Sequence, residues 1–278
     1  MAEQEFVTDP AEAKDRNFVT ALARGLDVLR CFRSNEVALT NTDFSERTGL
    51  PKATVSRLTH TLCALDYLVA DPRTSTYRLG AGVLQLGFGV LSAMDISDRA
   101  EQEMRKLRDG PNSYITVALA EAHRLDAVYV AAERSREDVA LMMRIGSRLP
   151  IFRSAIGRAI LVGMDEAARE RIFAFAREEG PEVEAEGRAH VDAALREFEE
   201  RGYCTSYGEW RGDVNGIAVP VFTLNGSRVY GLNVGGPSFH VKKRQLETVY
   251  SKLLWDAAEA ISIRSGAARK ADVESKPD

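Results

Sequence analysis

Apolar positions recur at helical spacing from the start of the chain. Leu22, Leu26, Leu29 and Phe32 fall on one side of a helix predicted over about 19–32. A shorter helix is predicted behind the caps Asn41 and Thr42. Gly49 ends it, because glycine accepts the left-handed conformation of a helix stop. Pro51 opens the next helix, where its missing N–H costs nothing. Val55, Leu58 and Leu62 give that helix one buried face. Two helices joined by so short a turn form a helix-turn-helix. The pattern then predicts a strand over 67–70, a turn over 71–76 and a return strand over 77–79, a hairpin wing.

Gly80-Ala81-Gly82 marks a boundary. Beyond it one long helix is predicted over 83–108, apolar early (Leu84, Leu86, Val90, Leu91, Met94) and charged later. The apolar half is expected to pack against a second copy of the chain. From Asp109 the texture becomes α+β. Strands are predicted over 114–120, 127–132 and 139–144, and again over 203–206, 217–222 and 229–234, the last two joined by a tight Asn225-Gly226 turn. Residues 149–157 read as a loop leading into a helix that ends near 162. Helices are predicted over 166–178 and 190–201, with 179–188 a solvated loop. A final helix over 242–263 is expected to turn Leu246, Val249, Tyr250, Leu253 and Leu254 inward. The expected domains are a disordered arm 1–17, a winged helix-turn-helix 18–80, a linker and dimerisation helix 81–108, an α+β domain 109–265 and a disordered tail 266–278.

The outer face of the second helix carries Lys52, Thr54, Ser56, Arg57, Thr59, His60 and Thr61, and no acidic residue occurs between Arg47 and Leu65. Such a face suits the major groove of double-stranded DNA. Lys52, Thr54, Ser56, Arg57 and His60 are expected to meet bases or phosphates there. Arg73, at the tip of the wing, and Arg78, near its base, are expected to meet the backbone or minor groove. The formal net charge of the 278 residues is -4. Nucleic-acid binding must therefore come from this local patch. No apolar run approaches a membrane span, and residues 1–14 lack the apolar core of a signal peptide. A cytoplasmic protein without a membrane partner is expected.

No catalytic set is legible. There is no phosphate-binding glycine loop and no Gly-x-Ser-x-Gly elbow. The four histidines stand apart, so neither metal nor cofactor is expected. The three cysteines, Cys31, Cys63 and Cys204, fit reduced, buried thiols. A rival reading makes Cys204 the centre of a redox enzyme, and another makes the chain an architectural DNA protein without a ligand. The candidate pocket is of a different kind. Ser154-Ala155-Ile156-Gly157 is a small-residue turn at a helix N-terminus, where free N–H groups favour a carboxylate. Asn233 and Gly235 share a face of one strand. The Gly208-Glu209-Trp210 stretch and the one from Gly212 to Gly216 form a loop placed to close a cavity.

Several long motifs in this order resemble the IclR family of bacterial transcription regulators. They are Ala23-Arg24-Gly25-Leu26-Asp27-Val28-Leu29, Thr48-Gly49-Leu50-Pro51-Lys52-Ala53-Thr54-Val55, Tyr77-Arg78-Leu79-Gly80, Leu149-Pro150 with Ser154 to Leu161, Asn215 to Val221, and Gly235-Gly236-Pro237. The resemblance covers nearly all of 18–264. It implies a GAF-like or PAS-like effector-binding domain, homodimers or homotetramers on a palindromic operator, small carboxylate or aromatic-acid effectors, and control of catabolic genes. Carried over residue by residue, it implies a pocket of Ile151, Ser154, Ala155, Ile156 and Gly157 on the helix side. Ser206, Glu209, Val214, Gly216, Asn233 and Gly235 would complete it. In relatives that bind very small oxoacids, a polar or acidic residue takes the place of Ser206, a cysteine that of Gly216 and serines those of Asn233 and Gly235. The two glycines here imply extra room and a larger effector, an aromatic acid.

Overall fold

The computed structural model describes residues 17–33, 36–92, 97–137, 143–223 and 228–262. The expected N-terminal arm up to residue 16, the tail, the Asn225-Gly226 turn and most of the strand expected over 139–144 lie outside them. The chain divides into two compact units, Met1–Met94 and Asp95–Asp278.

In the first unit, helix α1 (Thr20–Arg30) leads to a short strand β1 (Leu39–Thr40), then α2 (Asn41–Thr48) and α3 (Lys52–Ala64). Strands β2 (Leu68–Asp71) and β3 (Thr76–Leu79) follow, with sheet order β1-β3-β2, and α4 (Ala81–Ser92) ends the unit. The cap of α2 is Thr40, one residue earlier than expected. Its hydroxyl accepts from the Asp43 N–H while the Asp43 carboxylate takes the Thr40 N–H, a reciprocal box. Gly49 closes α2 at φ 67°.

The inward face of α1 differs from the expectation. Val28 and Cys31 are buried, whereas Leu22 and Leu26 are exposed. The core settles on Phe44, which meets Phe32 edge-on at 5.6 Å and Tyr77 at 6.0 Å. Thr59, expected outward, is buried. Its hydroxyl lies 3.2 Å from Asn41 Oδ1, and the Asn41 amide donates to the Tyr77 hydroxyl at 3.3 Å. These two bonds tie α3 to α2 and to the wing.

The second unit begins with α5 (Ser97–Arg108); α4 and α5 both fall within the long helix expected over 83–108, of which 93–96 lie outside the described residues. Strands β4 (Thr116–His123), β5 (Asp126–Glu133) and β6 (Arg148–Pro150) form a meander. Its third strand takes up the start of the stretch 149–157 that was expected as loop. Then come α6 (Ala155–Gly163), α7 (Glu166–Glu179), α8 (Pro181–Arg201), β7 (Cys204–Tyr207), β8 (Val214–Phe222) and β9 (Val229–Pro237). The six strands pair antiparallel in the order β6-β5-β4-β9-β8-β7. The stretch 179–188, expected as loop, is mostly the start of α8. Pro181 stands at its first position and Glu182 and Glu184 in its first turn, both favourable at the positive end of a helix.

The chain closes with α9 (Lys243–Gln245), a π-helical turn (Leu246–Tyr250) and α10 (Ser251–Ile261). The wider turn keeps Leu246, Tyr250 and Leu254 in line as buried residues, four apart. Val249 and Leu253, expected inward, are therefore exposed. The α6 helix packs on one sheet face with α8 behind it; α5 and α10 cover the other.

One ion pair bears on the first unit. The Arg47 guanidinium donates to both Glu36 carboxylate oxygens, at 2.5 and 2.8 Å, and to the Cys31 carbonyl at 2.7 Å. This holds the Glu36 carboxyl down at about 2, from an ordinary 4.5. A depressed carboxylate stabilises fully above its unfolded pKa and loses that contribution as pH falls through its folded one. Glu36→Gln should thus lower the melting temperature at neutral pH, and the gap to wild type should close as pH falls from about 4.5 towards 2. Melting curves across that range check this; a gap of constant size contradicts it.

Candidate functional site

Two regions gather the residues singled out from the sequence. The first is α3 with the wing. Lys52, Ser56, Arg57 and His60 are exposed on α3, and Thr54 is half-buried at its edge. Among the described residues, no hydrogen bond or ion pair engages the Lys52, Arg57 or His60 side chains. Arg73 stands in the β2–β3 turn, 3.8 Å from Asp71. Arg78 is exposed on β3 opposite Val69. All seven residues belong to one unit, and Thr59 alone of the expected outer face turns in.

The second region is a cavity made by the way α6 sits on the sheet. At Gly231 of β9 a Cβ would lie 2.6 Å from the Ile156 carbonyl oxygen and 2.7 Å from its side chain. At Gly163 a Cβ would meet Pro220 and Val229, each at 2.7 Å. The helix therefore lies against β8 and β9 with its C-terminus over Val229 and its N-terminus towards Asn233 and Gly235. The small residues of the sheet continue beyond the helix start, as the cross-strand row Ser206, Gly216 and Gly235. A gap remains there, about 400 Å³ of empty space including its open mouth.

Of the expected residues, Ser154, Ala155 and Ile156 line the gap from α6, Ser206, Val214 and Gly216 from β7 and β8, and Asn233 and Gly235 from β9. Trp210, on the loop expected to close the cavity, lines it as well. Thr116, Tyr129, Leu149 and Asn215 complete it and were missed by the sequence reading. Ile151, Gly157 and Glu209 do not line it. Gly157 has a packing role, since a Cβ there would overlap the Ile151 carbonyl. The two glycines read as leaving room also differ. A Cβ on Gly216 would find its nearest neighbour at 3.4 Å, an ordinary contact, so its missing side chain does open the cavity. A Cβ on Gly235 would lie 2.8 Å from the Asn215 carbonyl oxygen, so that glycine serves strand approach.

Among the described residues, none that lines the cavity carries a full charge. The polar groups are hydroxyls, two amides and the helix start. Ser154 caps α6, accepting from the Gly157 N–H at 3.2 Å and donating to the Pro150 carbonyl at 2.7 Å. The first-turn N–H groups of Ala155 and Ile156 have no carbonyl within their own helix and sit at its positive end. Behind the wall, buried Arg158 donates to the carbonyls of Phe152 (2.9 Å) and Thr205 (2.8 Å) and pairs with the Glu209 carboxylate. That pair fixes the loop carrying Trp210. Glu209 is therefore a support for the cavity and not part of its lining.

Models of two families match. The one described as the IclR helix-turn-helix domain covers residues 21–72, and the one described as the bacterial transcriptional regulator IclR C-terminal covers 88–263. The HTH-type transcriptional regulator TsaQ1/TsaQ2 of Comamonas testosteroni is 33% identical over 232 residues, 83% of this chain and 82% of that protein. The Pca regulon regulatory protein of Pseudomonas putida is 29% identical over 246 residues, 88% of this chain and 83% of that one. A solved IclR family transcriptional regulator from Brucella abortus matches with a TM-score of 0.79 and 42% identity, covering 92% of this chain and 96% of that one. An IclR homologue from Microbacterium hydrocarbonoxydans, solved with 4-hydroxybenzoate, shares the fold at a TM-score of 0.66 and 22% identity, with 87% and 97% covered.

The cysteines offer no redox centre. Among the described residues no group of His, Cys, Asp and Glu is placed to hold a metal ion. Cys204 is fully buried in β7, and burial pushes its thiol well above the usual range. Burial likewise pushes Cys31 up to about 11. Cys63, expected buried, is half-buried. A thiol reacts as its thiolate. In the native protein at pH 8 a disulfide-exchange reagent should modify Cys63 first and leave Cys31 and Cys204 unmodified until denaturant is added. Mass spectrometry of the labelled peptides checks this, and fast native labelling of Cys204 contradicts it.

Proposed function

The chain belongs to the IclR family of bacterial transcriptional regulators, and on that footing we propose that a small aromatic monocarboxylate, held under the start of α6, switches its grip on a palindromic operator. It is a regulator and not an enzyme; its named relatives are all transcription regulators. The observation that carries the effector reading is the cavity itself. It combines apolar and aromatic walls, a helix N-terminus for one carboxylate and, among the described residues, no charged lining residue. A fold neighbour holds 4-hydroxybenzoate, so this architecture accommodates an acid of that size. Control of catabolic genes fits such a ligand.

On the DNA side, Lys52, Thr54, Ser56, Arg57 and His60 read the major groove or its phosphates, and Arg73 and Arg78 the backbone or minor groove. Thr59 instead holds α3 in place. Self-association rests on the first unit. On α4 Leu84 is 74% and Phe88 67% exposed, and on α1 Leu22 is 63% exposed. Apolar exposure of this extent marks a surface that a second copy covers. The segment 81–108 spans the join between the units and is the proposed coupling element. A ligand shifts the DNA-binding state only through differential affinity for two arrangements.

Fluorescence anisotropy with the promoter region beside its own gene tests the reading. Lys52→Ala with Arg57→Ala should weaken binding at least about tenfold and flatten the log–log salt slope by about two per copy. Undiminished binding overturns the DNA assignment. An aromatic monocarboxylate at about a hundred times its Kd should stabilise the protein by about 2.7 kcal/mol and change operator affinity. If no organic acid does either, the chain is a ligand-independent DNA protein. For self-association, light scattering should give at least a dimer, and Leu84→Ser with Phe88→Ser should shift it to monomer. A monomeric wild type refutes that part.

A further inference from the structure

We propose that Tyr129 and Asn233 make the cavity select monocarboxylates that carry a hydroxyl group over the same acids without one. This rests on the effector reading above and narrows it to a ligand chemistry. Tyr129 on β5 is buried, and it and Asn233 of β9 line the cavity together, the Asn233 side chain beside the Tyr129 phenol. Burial raises the Tyr129 pKa, so the phenol keeps its proton. Asn233 Oδ1 is buried and, among the described residues, has no hydrogen-bond partner.

The Ser206, Thr116 and Ser154 hydroxyls and the Asn215 amide around the cavity each make a hydrogen bond within the protein. Ser206 donates to the Arg153 carbonyl at 2.8 Å, and the Asn215 amide to the Val241 carbonyl at 2.9 Å. Thr116 accepts from the Ser135 N–H at 3.3 Å, and Ser154 makes its two capping bonds. What remains is one orphan acceptor beside one neutral phenol, with the Thr116 O–H and the Trp210 indole N–H as further donors in the lining.

A hydroxyl has one donor and two acceptor positions. A single ligand hydroxyl therefore gives Asn233 Oδ1 its missing donor and accepts from the Tyr129 O–H. The carboxylate of the same ligand lies at the Ala155 and Ile156 N–H groups. Asn233, Ala155 and Ile156 line the same cavity. An acid without the hydroxyl leaves Asn233 Oδ1 without a donor and gives the Tyr129 O–H no acceptor in a site it has closed to water. Sites built to bond a hydroxyl reject the analogue lacking it far better than apolar pockets tell methylenes apart. A second carboxylate has no cationic partner in the lining, so dicarboxylates are disfavoured too.

Isothermal titration of the full-length protein with matched pairs tests this: benzoate against 3- and 4-hydroxybenzoate, and phenylacetate against 4-hydroxyphenylacetate. At least one hydroxylated member should bind wild type about tenfold or more tighter than its partner. Asn233→Leu and Tyr129→Phe should each bring that ratio to within about threefold. A purely structural role would weaken both members alike and preserve the ratio, which overturns the proposal. So do equal affinities in wild type. Should one variant fail to fold, judged by its melting curve, the ratio in the other decides. If no member of either pair binds wild type, the effector reading falls as well.

Discussion

The second unit depends on how closely a helix can approach a sheet. The α6 helix rests on β9 with its Ile156 carbonyl where a side chain at residue 231 would be, and only glycine permits that. The surrounding face is kept small by Ala118, Ala120 and Ala218, so the helix is seated by dispersion contacts along its whole length. Overpacking such a seat by one methyl costs about 1–3 kcal/mol. The cavity follows from the same constraint. The sheet keeps its small residues past Ala155, where the helix ends, so a gap opens at the helix's positive end. Fold and candidate site thus share one cause.

Much of the first unit was legible because its signals are local. Gly49 and Pro51 punctuate the helix pair within three residues, and the wing alternates cleanly. What failed there was orientation. Thr59 looks like one more hydroxyl on a polar face, but its partner Asn41 lies eighteen residues earlier and on another helix. Leu22 and Leu26 make a convincing stripe, yet the helix turns Val28 inward and leaves the stripe to solvent in the single chain. A periodic apolar stripe identifies a helix that packs; it does not say whether against its own chain.

In the second unit the helix-start motif and the glycine row were readable, and most of their residues line the cavity. Tyr129 and Thr116 were not, because both come from strands that read as plain core. The pairing of β4 with β5 slips between Leu119 and Ala120. A bulge of that kind moves later residues to the other face, and it brings Tyr129 level with Ala120. No alternation count over 127–132 reveals it. The start of α8 was missed for a simpler reason: Gly180-Pro181 reads as loop punctuation, while Pro181 in fact occupies a helix's first position.

The same physics links occupancy to α6. Among the described residues Asn233 Oδ1 has no donor, and the Ala155 and Ile156 N–H groups have no acceptor within their own helix. In the binding mode proposed above, one hydroxy acid satisfies helix and sheet together, and so bridges the two surfaces that Gly231 brings together. The Arg158–Glu209 pair adds a third surface, because it anchors to α6 the loop that carries Trp210. On that proposal the ligand's binding energy falls on the seat of α6 against the sheet and on that loop. Any arrangement in which they part, even by the width of a water molecule, loses the bridge and with it the ligand's preference. A rigid sheet under a short helix is well suited to such a response, since close-packed layers shift between discrete seatings and do not deform continuously.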